Sequence, residues 1–478
     1  MAVLLQVISS IIICYLCMSL GLMFTWPSST LQLFESQNTT LTRPMGSTEL
    51  ALFSSLSSIG AMIVTPVAAY LMDTIGRKKT ALVLSMASTL SWTLIAASNQ
   101  VELVLTAIFI SGMGGAVFLV VPVYIGEICQ ESIRGAMMSC SIVFAAGGML
   151  VSYILGGYCE YHVMIYASLS VCVSGAALLL LLKESPTFLM QKGFEAEAIR
   201  SIAFYRSADP DSKEVLNEIN AIRRAINPDL EESVSEEEQK LNKDEKVETK
   251  VQAPKEKLSI IQFLRKSPST RRALFVAVTV GVSAVFQGLI VVQVYAMPLF
   301  SEAIPTMSAT VCSIIFALVT ILSALGSAYL SETAGRKALM VYSCMASGLC
   351  CLTLGSQIQL HWAPHALTAV LIYAFCVFYT LGAGTIPFVI AAEVFLPEIK
   401  SFVSMLCIEL NWLCSFIILF IFNPLVEAIG LGPVFYLFAT ICFCSSLFCI
   451  FFLPETKGLT VDAIQLLFLD SKKKNSRV

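Results

Sequence analysis

Asp73-Thr74-Ile75-Gly76-Arg77-Lys78 and Glu332-Thr333-Ala334-Gly335-Arg336-Lys337 are one signature written twice, each behind an apolar run, 259 residues apart. The repetition continues along the chain. Glu127 and Arg134 recur as Glu393 and Lys400 at an offset of 266, and Glu184-Ser185-Pro186 recurs as Glu455-Thr456-Lys457 at 271. Three acid–base signatures, in the same order and each after the corresponding apolar run, mark a chain built of two equivalent halves.

What separates the signatures is apolar. Of 478 residues 56% are hydrophobic and only 13% charged, with a mean hydropathy of +0.79. Soluble domains carry about 25% charged residues. This composition excludes a secreted disulfide module and an ordinary soluble enzyme. The net charge of −3 supplies no field for a polyanion, so nucleic acid is no partner. The 16 cysteines fall almost entirely inside apolar runs and show no metal-ligand spacing; they read as small hydrophobes, and no metal or other cofactor is implied.

A helical span needs about 20 mostly apolar residues. Twelve runs qualify: 5–26, 50–72, 80–98, 102–122, 137–157, 163–182, 273–297, 307–330, 338–356, 365–391, 402–424 and 432–453. Numbering the connections alternately puts 29 of the 30 basic residues in one set and Arg43 alone in the other. Basic loops stay in the cytoplasm, so both termini are expected inside. The first run lacks a basic flank and a small-residue cleavage site, and reads as a retained span.

The fold class that follows is an all-α membrane protein of the major facilitator plan, twelve transmembrane helices in two six-helix repeats. Residues 1–182 and 273–453 form the halves, 183–272 a cytoplasmic linker and 454–478 a cytoplasmic tail. The linker begins with helical runs to about Asn227. The stretch 229–257 is dense in Glu and Lys and cannot bury enough surface to order itself, so it reads as a disordered tether. Ser233 and Ser235 within it are phosphosite candidates against the plainer reading of a solvated linker. In the tail, Asp462-Ala463-Ile464-Gln465-Leu466-Leu467 fits an acidic dileucine sorting pattern and equally an amphipathic helix. That leaves an endosomal membrane as the alternative to the plasma membrane.

The repeated signatures place acids and bases at the cytoplasmic ends of helices. Asp73, Arg77, Glu127, Arg134, Glu332, Arg336, Glu393 and Lys400 are the expected cytoplasmic gate, since Arg grips a carboxylate bidentately. Pairing across the halves would close the inside and would have to break for the inward-facing state. Positive-inside topology accounts for the bases alone, and leaves the matched acids unexplained.

These motifs resemble those of the sugar porter family of major facilitators, which includes animal glucose transporters and insect trehalose transporters. Gly76-Arg77-Lys78 and Gly335-Arg336-Lys337 fit its loops. Pro122-Val123-Tyr124-Ile125-Gly126-Glu127 with Arg134-Gly135 fits its span-4 signature. Glu184-Ser185-Pro186 fits with Lys183 in place of a Pro, Gly382–Pro387 resembles its broken span 10, and Pro454-Glu455-Thr456-Lys457-Gly458 matches its closing motif. Gly21 through Trp26-Pro27-Ser28 is similar to span 1 of the insect branch. The likeness covers nearly the whole chain.

The resemblance implies a solute site in which Asn411 and Trp412 keep their family identities. Thr320, Thr380 and Phe388 stand where the family carries Asn, Glu and Trp, and Ile142 replaces a span-5 Gln. Around Gly288 in span 7, Ala284, Val285 and Ile290 replace polar residues. A sugar hydroxyl losing water needs a directed partner, so these aliphatics weaken the sugar inference while leaving the fold untouched. From the residues themselves, Ser283, Gln287, Val291 and Tyr295 step by four and would share one face of a helix. This makes Gln287 and Tyr295 further site candidates. Glu409 is an ionisable group inside span 11, about 200° from Asn411 at 100° per residue, and so faces a different neighbour on an unbroken helix.

The reading is a facilitative uniporter of trehalose or a hexose by alternating access, and no enzyme. Its partners are the small polar solute and the lipid bilayer; no obligate protein partner is evident. The chain contains no Gly-rich run ending in Gly-Lys-Ser/Thr, so ATP does not drive it. The rival readings are a proton-coupled symporter using Glu409 and a transport-silent nutrient sensor signalling through 229–257. Against coupling, span 1 has no carboxylate between Leu4 and Phe34.

Asn38-Thr39-Thr40 is a glycosylation acceptor in the first outer connection. Asn38 should carry glycan, and the mobility shift on enzymatic deglycosylation should vanish in Asn38→Gln. A shift that persists in that variant would refute the site or the orientation.

Overall fold

The structure, a computed structural model, describes residues 2–226, 267–395, 397–459 and 461–474. Among them, twelve helices are long and apolar enough to cross a membrane. Spans 1–6 are Ala2–Glu35, Ser47–Ile75, Arg77–Ala97, Val101–Ile128, Glu131–Tyr158 and Tyr161–Leu180. Spans 8, 9, 11 and 12 are Ala309–Thr333, Arg336–Leu360, Pro397–Ile429 and Leu431–Phe452. Most run several residues past their apolar cores, because the helix continues as long as its own carbonyls satisfy its amides.

Spans 7 and 10 are interrupted. Span 7 comprises Pro268–Phe286, Leu289–Val294 and Ala296–Ala303. The first break turns on Gly288, at φ 94°, a left-handed conformation that glycine adopts without a Cβ clash. The four-residue step from Ser283 to Tyr295 therefore does not describe one face: the helix restarts at Leu289 and again at Ala296. Span 10 breaks where the glycines predicted it, between His365–Leu381 and Ile386–Glu393. Thr385 repairs part of the break by donating its hydroxyl to the Thr380 carbonyl at 2.9 Å.

Lipid offers no hydrophobic drive between helices, so packing rests on close backbone approach at small residues. Spans 1 and 5 meet this way. A Cβ on Gly21 would stand 1.9 Å from the Ala145 carbonyl oxygen, and one on Gly148 would stand 2.1 Å from that of Met18. Spans 2 and 4 repeat the device with Gly60 and Gly112. Between the halves, span 2 packs on span 11 and span 5 on span 8.

Outside the spans, Pro186–Gln191, Glu195–Arg206 and Lys213–Ile226 are the short linker helices, packed around Phe188, Ile202 and Ile219. The tail helix Val461–Lys474 packs under span 7. In it Ile464 and Phe468 are buried, while Leu466 and Leu467 are exposed. The tether 229–257, with Ser233 and Ser235, lies outside the described residues.

Gly21→Val should lower stability by about 1–3 kcal/mol or more, since the obstructing atom is backbone and cannot rotate away. A melting curve of the purified protein in detergent checks this; an unchanged midpoint would refute the close approach of spans 1 and 5.

Candidate functional site

At the end of the first half where its acid–base motifs gather, Gly76 takes φ 100° and turns the chain from span 2 into span 3. The turn delivers the Arg77 and Lys78 amides to Glu184 Oε1 at 2.8 and 2.9 Å. The Arg77 guanidinium then reaches Glu127 through Nη2 at 2.8 Å and Nε at 3.2 Å, and the Met72 carbonyl through Nη1 at 3.1 Å. Ser185 Oγ donates to the second Glu127 oxygen. Both Glu127 oxygens and Glu184 Oε1 are thus partnered, as burial of charge requires, while Glu184 Oε2 is buried without a hydrogen bond among the described residues.

The second half repeats these bonds residue for residue. Gly335 takes φ 87°, and the Arg336 and Lys337 amides donate to Glu455 at 2.8 and 3.1 Å. Arg336 binds Glu393 at 2.7 and 3.2 Å and the Ser331 carbonyl at 3.0 Å, and Thr456 Oγ1 donates to Glu393 at 3.2 Å. Glu455 has its carboxyl held below the ordinary carboxylate value: burial pushes upward, but backbone N–H donors from Arg336, Lys457, Lys337 and Thr456 outweigh it. A depressed carboxylate adds stability above its unfolded value near about 4.3 and loses it as pH falls through the folded value. Glu455 is therefore ionised at neutral pH.

The expected gate residues divide. Arg77–Glu127 and Arg336–Glu393 pair, but within their own halves rather than across them. Asp73 stands 3.9 Å from Arg77 and is 80% exposed. Arg134 donates to the Cys129 carbonyl at 3.3 Å and meets no carboxylate among the described residues. The side chains of Glu332 and Lys400 lie outside the described residues. Glu184, Ser185, Glu455 and Thr456 complete both clusters and were not among the candidates. The offset of 271 that pairs their motifs was the signal that marked them.

Contacts between the halves lie at mid-membrane and beyond it toward the outer ends. Tyr153 donates its hydroxyl to the Gln293 carbonyl at 2.6 Å, and the Met297 amide donates to Ser28 Oγ at 2.8 Å. A Cβ on Gly157 would stand 2.0 Å from Thr310. Deeper in, Trp412 stacks on Phe24 at 5.7 Å and 18°, with Gly115 close beside it.

The solute-site candidates are spread over this region. Asn411 and Phe388 line one recess of about 60 Å³ with Ala277, Gly281, Ser404 and Cys407. Phe388 is 54% exposed beside it. Gln287 is fully buried, its Nε2 3.4 Å from Cys344 Sγ and its Oε1 without a partner. Thr380 Oγ1 and Trp412 Nε1 are likewise buried and unpartnered. Thr320 donates to the Phe316 carbonyl at 2.8 Å and touches Cys376 at 3.2 Å, which places it in helix packing between spans 8 and 10. Tyr295 donates to the Leu419 carbonyl at 3.0 Å and borders an outer cleft instead of the recess. Span 11 is unbroken, and Glu409 does not line the recess that holds Asn411; its Oε1 is buried without a partner.

Comparison with known proteins places these features. Residues 3–468 match the family described as "Sugar (and other) transporter". Among relatives, the facilitated trehalose transporter Tret1 of Bombyx mori is 26% identical over 429 residues, 87% of this chain and 79% of that protein. Tret1 of Drosophila mojavensis is 25% identical over 415 residues, 84% of this chain but 44% of that protein. The chain thus spans under half the length of several relatives it matches. The inward open conformation of the xylose transporter XylE from E. coli superposes with a TM-score of 0.75 at 17% identity, covering 96% of this chain and 98% of that one. The proton:xylose symporter XylE bound to 6-bromo-6-deoxy-D-glucose gives 0.70, also at 17% identity, covering 97% and 99%. The shared fold is the major facilitator fold.

The two clusters differ in burial. Arg77 and Glu127 side chains are 7% and 16% exposed, against 14% and 32% for Arg336 and Glu393. Removing one partner of a buried pair costs about 1–3 kcal/mol, more where water is farther away. Glu127→Gln should therefore lower the melting midpoint more than Glu393→Gln. The reverse order would refute burial as the determinant.

Proposed function

We propose that this chain, which belongs to the sugar (and other) transporter family, carries trehalose or a hexose down its gradient by alternating access. The observation that carries the reading is a group of buried polar atoms without a hydrogen bond among the described residues: Gln287 Oε1, Thr380 Oγ1 and Trp412 Nε1, three of the five such atoms on the broken spans 7 and 10 and on span 11. Buried polar groups are otherwise almost always satisfied. None of the three lines the recess that holds Asn411, but polar groups left open on these spans suit a cargo that brings its own hydroxyls. Breaks in spans 7 and 10 support the same location, since irregular backbone at membrane depth is tolerated only against protein or a cavity.

Alternating access fits the distribution of bonds. Each half is closed on itself at the cytoplasmic end, so the halves can part there without breaking an Arg–Glu pair. They meet through few hydrogen bonds at the outer end, which can be exchanged for a different set. This is the rocking of one repeat against the other that transporter folds use. The segregation of basic residues supports both termini in the cytoplasm, and the plasma membrane is the proposed address.

A second reading has one observation behind it. Glu409 Oε1 is a buried carboxylate oxygen without a hydrogen-bond partner, and an intramembrane carboxylate is a candidate for proton coupling. Span 1 has no carboxylate between Leu4 and Phe34, which favours the uniporter.

Uptake of labelled trehalose and glucose into proteoliposomes, with and without a proton gradient, separates the readings. Saturable uptake indifferent to the gradient is expected. Asn411→Ala and Gln287→Ala should each weaken apparent affinity about two- to twelve-fold, the loss of one neutral hydrogen bond. Glu409→Gln should leave the pH profile unchanged. Normal affinity in both site variants, or accumulation that disappears in Glu409→Gln, would overturn the proposal.

A further inference from the structure

A cleft of about 400 Å³ lies on the outer side, walled by both halves. The first half supplies the end of span 1 and the start of span 2, including Gln32 and Leu50. The second supplies the last piece of span 7 and the end of span 11, including Ser301, Glu302, Asn423 and Val426. Tyr295 is its floor: the side chain is 2% exposed, its hydroxyl is tied to the Leu419 carbonyl, and its ring lies 4.8 Å from that of Phe422. The cleft is thus separated from the recess that holds Asn411.

We propose that this cleft is a second solute site, open to the outer face, for a neutral polyhydroxylated molecule of mono- or disaccharide size. Its volume lies within the ~300–1,000 Å³ of small-molecule sites, and its lining is about evenly polar and apolar, with the carboxylates of Glu35, Glu302 and Glu427 set among apolar residues such as Leu50 and Val426. The side chains of Gln32, Ser301, Glu302 and Asn423 form no hydrogen bond to the protein among the described residues, so their donors and acceptors are available to a ligand. Carboxylate and amide oxygens accept from hydroxyls, and charge-assisted acceptors bind roughly twice as strongly as neutral ones. Leu50 and Val426 meet the C–H faces of a sugar ring.

Because each half supplies one wall, the cleft in this form exists only while the outer ends are together. A ligand that binds one conformation better than another shifts the population toward it. Solute in the cleft therefore holds the outer face shut, and it slows uptake from outside without itself being carried. This goes beyond the proposed transport function, because the cleft lies off the central recess.

The test is the melting midpoint of the purified full chain against maltose, with calcium chloride as the competing probe. Maltose should raise the midpoint saturably. Glu302→Gln and Asn423→Leu should each weaken that response roughly tenfold or more, with the midpoint in the absence of maltose unchanged. Asn411→Ala should leave it intact. No response to maltose, or a response lost in Asn411→Ala and kept in Glu302→Gln, would overturn the proposal. So would stabilisation by calcium chloride alone that Glu302→Gln abolishes, which would make the cleft a cation site. An absence of sugar uptake would defeat the transport reading without touching this result.

Discussion

Two guanidinium groups at one end of the helix bundle, Arg77 and Arg336, set the terms for the rest of the molecule. Each is largely removed from water, and each has a carboxylate and a main-chain carbonyl within 3.2 Å. A buried charge without such partners would cost several kcal/mol. Meeting that requirement fixes four chain segments of each half against one another: the turn after the second span, the end of the fourth, the motif after the sixth and the start of the third. Glycine at 76 and 335 is required because a Cβ would stand 2.5 and 2.7 Å from the Glu184 and Glu455 carboxylates.

The same requirement makes each half a self-contained body. Arg77 and Arg336 are each paired inside their own half, and among the described residues no ion pair joins the halves. Besides the packing of span 2 on span 11 and span 5 on span 8, the interface holds a stacked aromatic pair, a few hydrogen bonds and a glycine–threonine contact. A light, non-ionic seam at one end and two rigid bodies at the other is what a rocking transporter needs. Hydrogen bonds of this kind contribute about 1 kcal/mol each, so a bound solute has enough energy to shift the balance.

Lipid imposes the second constraint. Backbone groups at the breaks around Gly288 and Gly382–Thr385 have no water to turn to, so the amides of Gly288, Gly384 and Thr385 donate to the nearby carbonyls of Val285, Tyr379 and Gly382, while carbonyls need other donors. Thr385 supplies one replacement bond, to the Thr380 carbonyl. The breaks also explain why the candidate site is scattered: each reorients the helix beyond it, and side chains four residues apart no longer project together. Tyr295 ends on the outer cleft and Gln287 in a closed pocket against Cys344, although both belong to span 7.

The sequence by itself determined the twelve spans, the two halves and both charge clusters, because each depends on local pattern: apolar length, positive charge on alternate connections, and motifs recurring at constant offsets. The break in span 10 was equally local, written in its glycines. Which acid meets which base was decided only in the tertiary structure. A motif states that Arg77 needs a carboxylate, but Glu127 lies 50 residues away, and a partner in the other half satisfies the sequence equally well. The placement of the site candidates was likewise beyond reach of the sequence. Thr320 and Asn411 are both polar residues within spans, and only the neighbours packed against each direct one into a helix contact and the other to a recess.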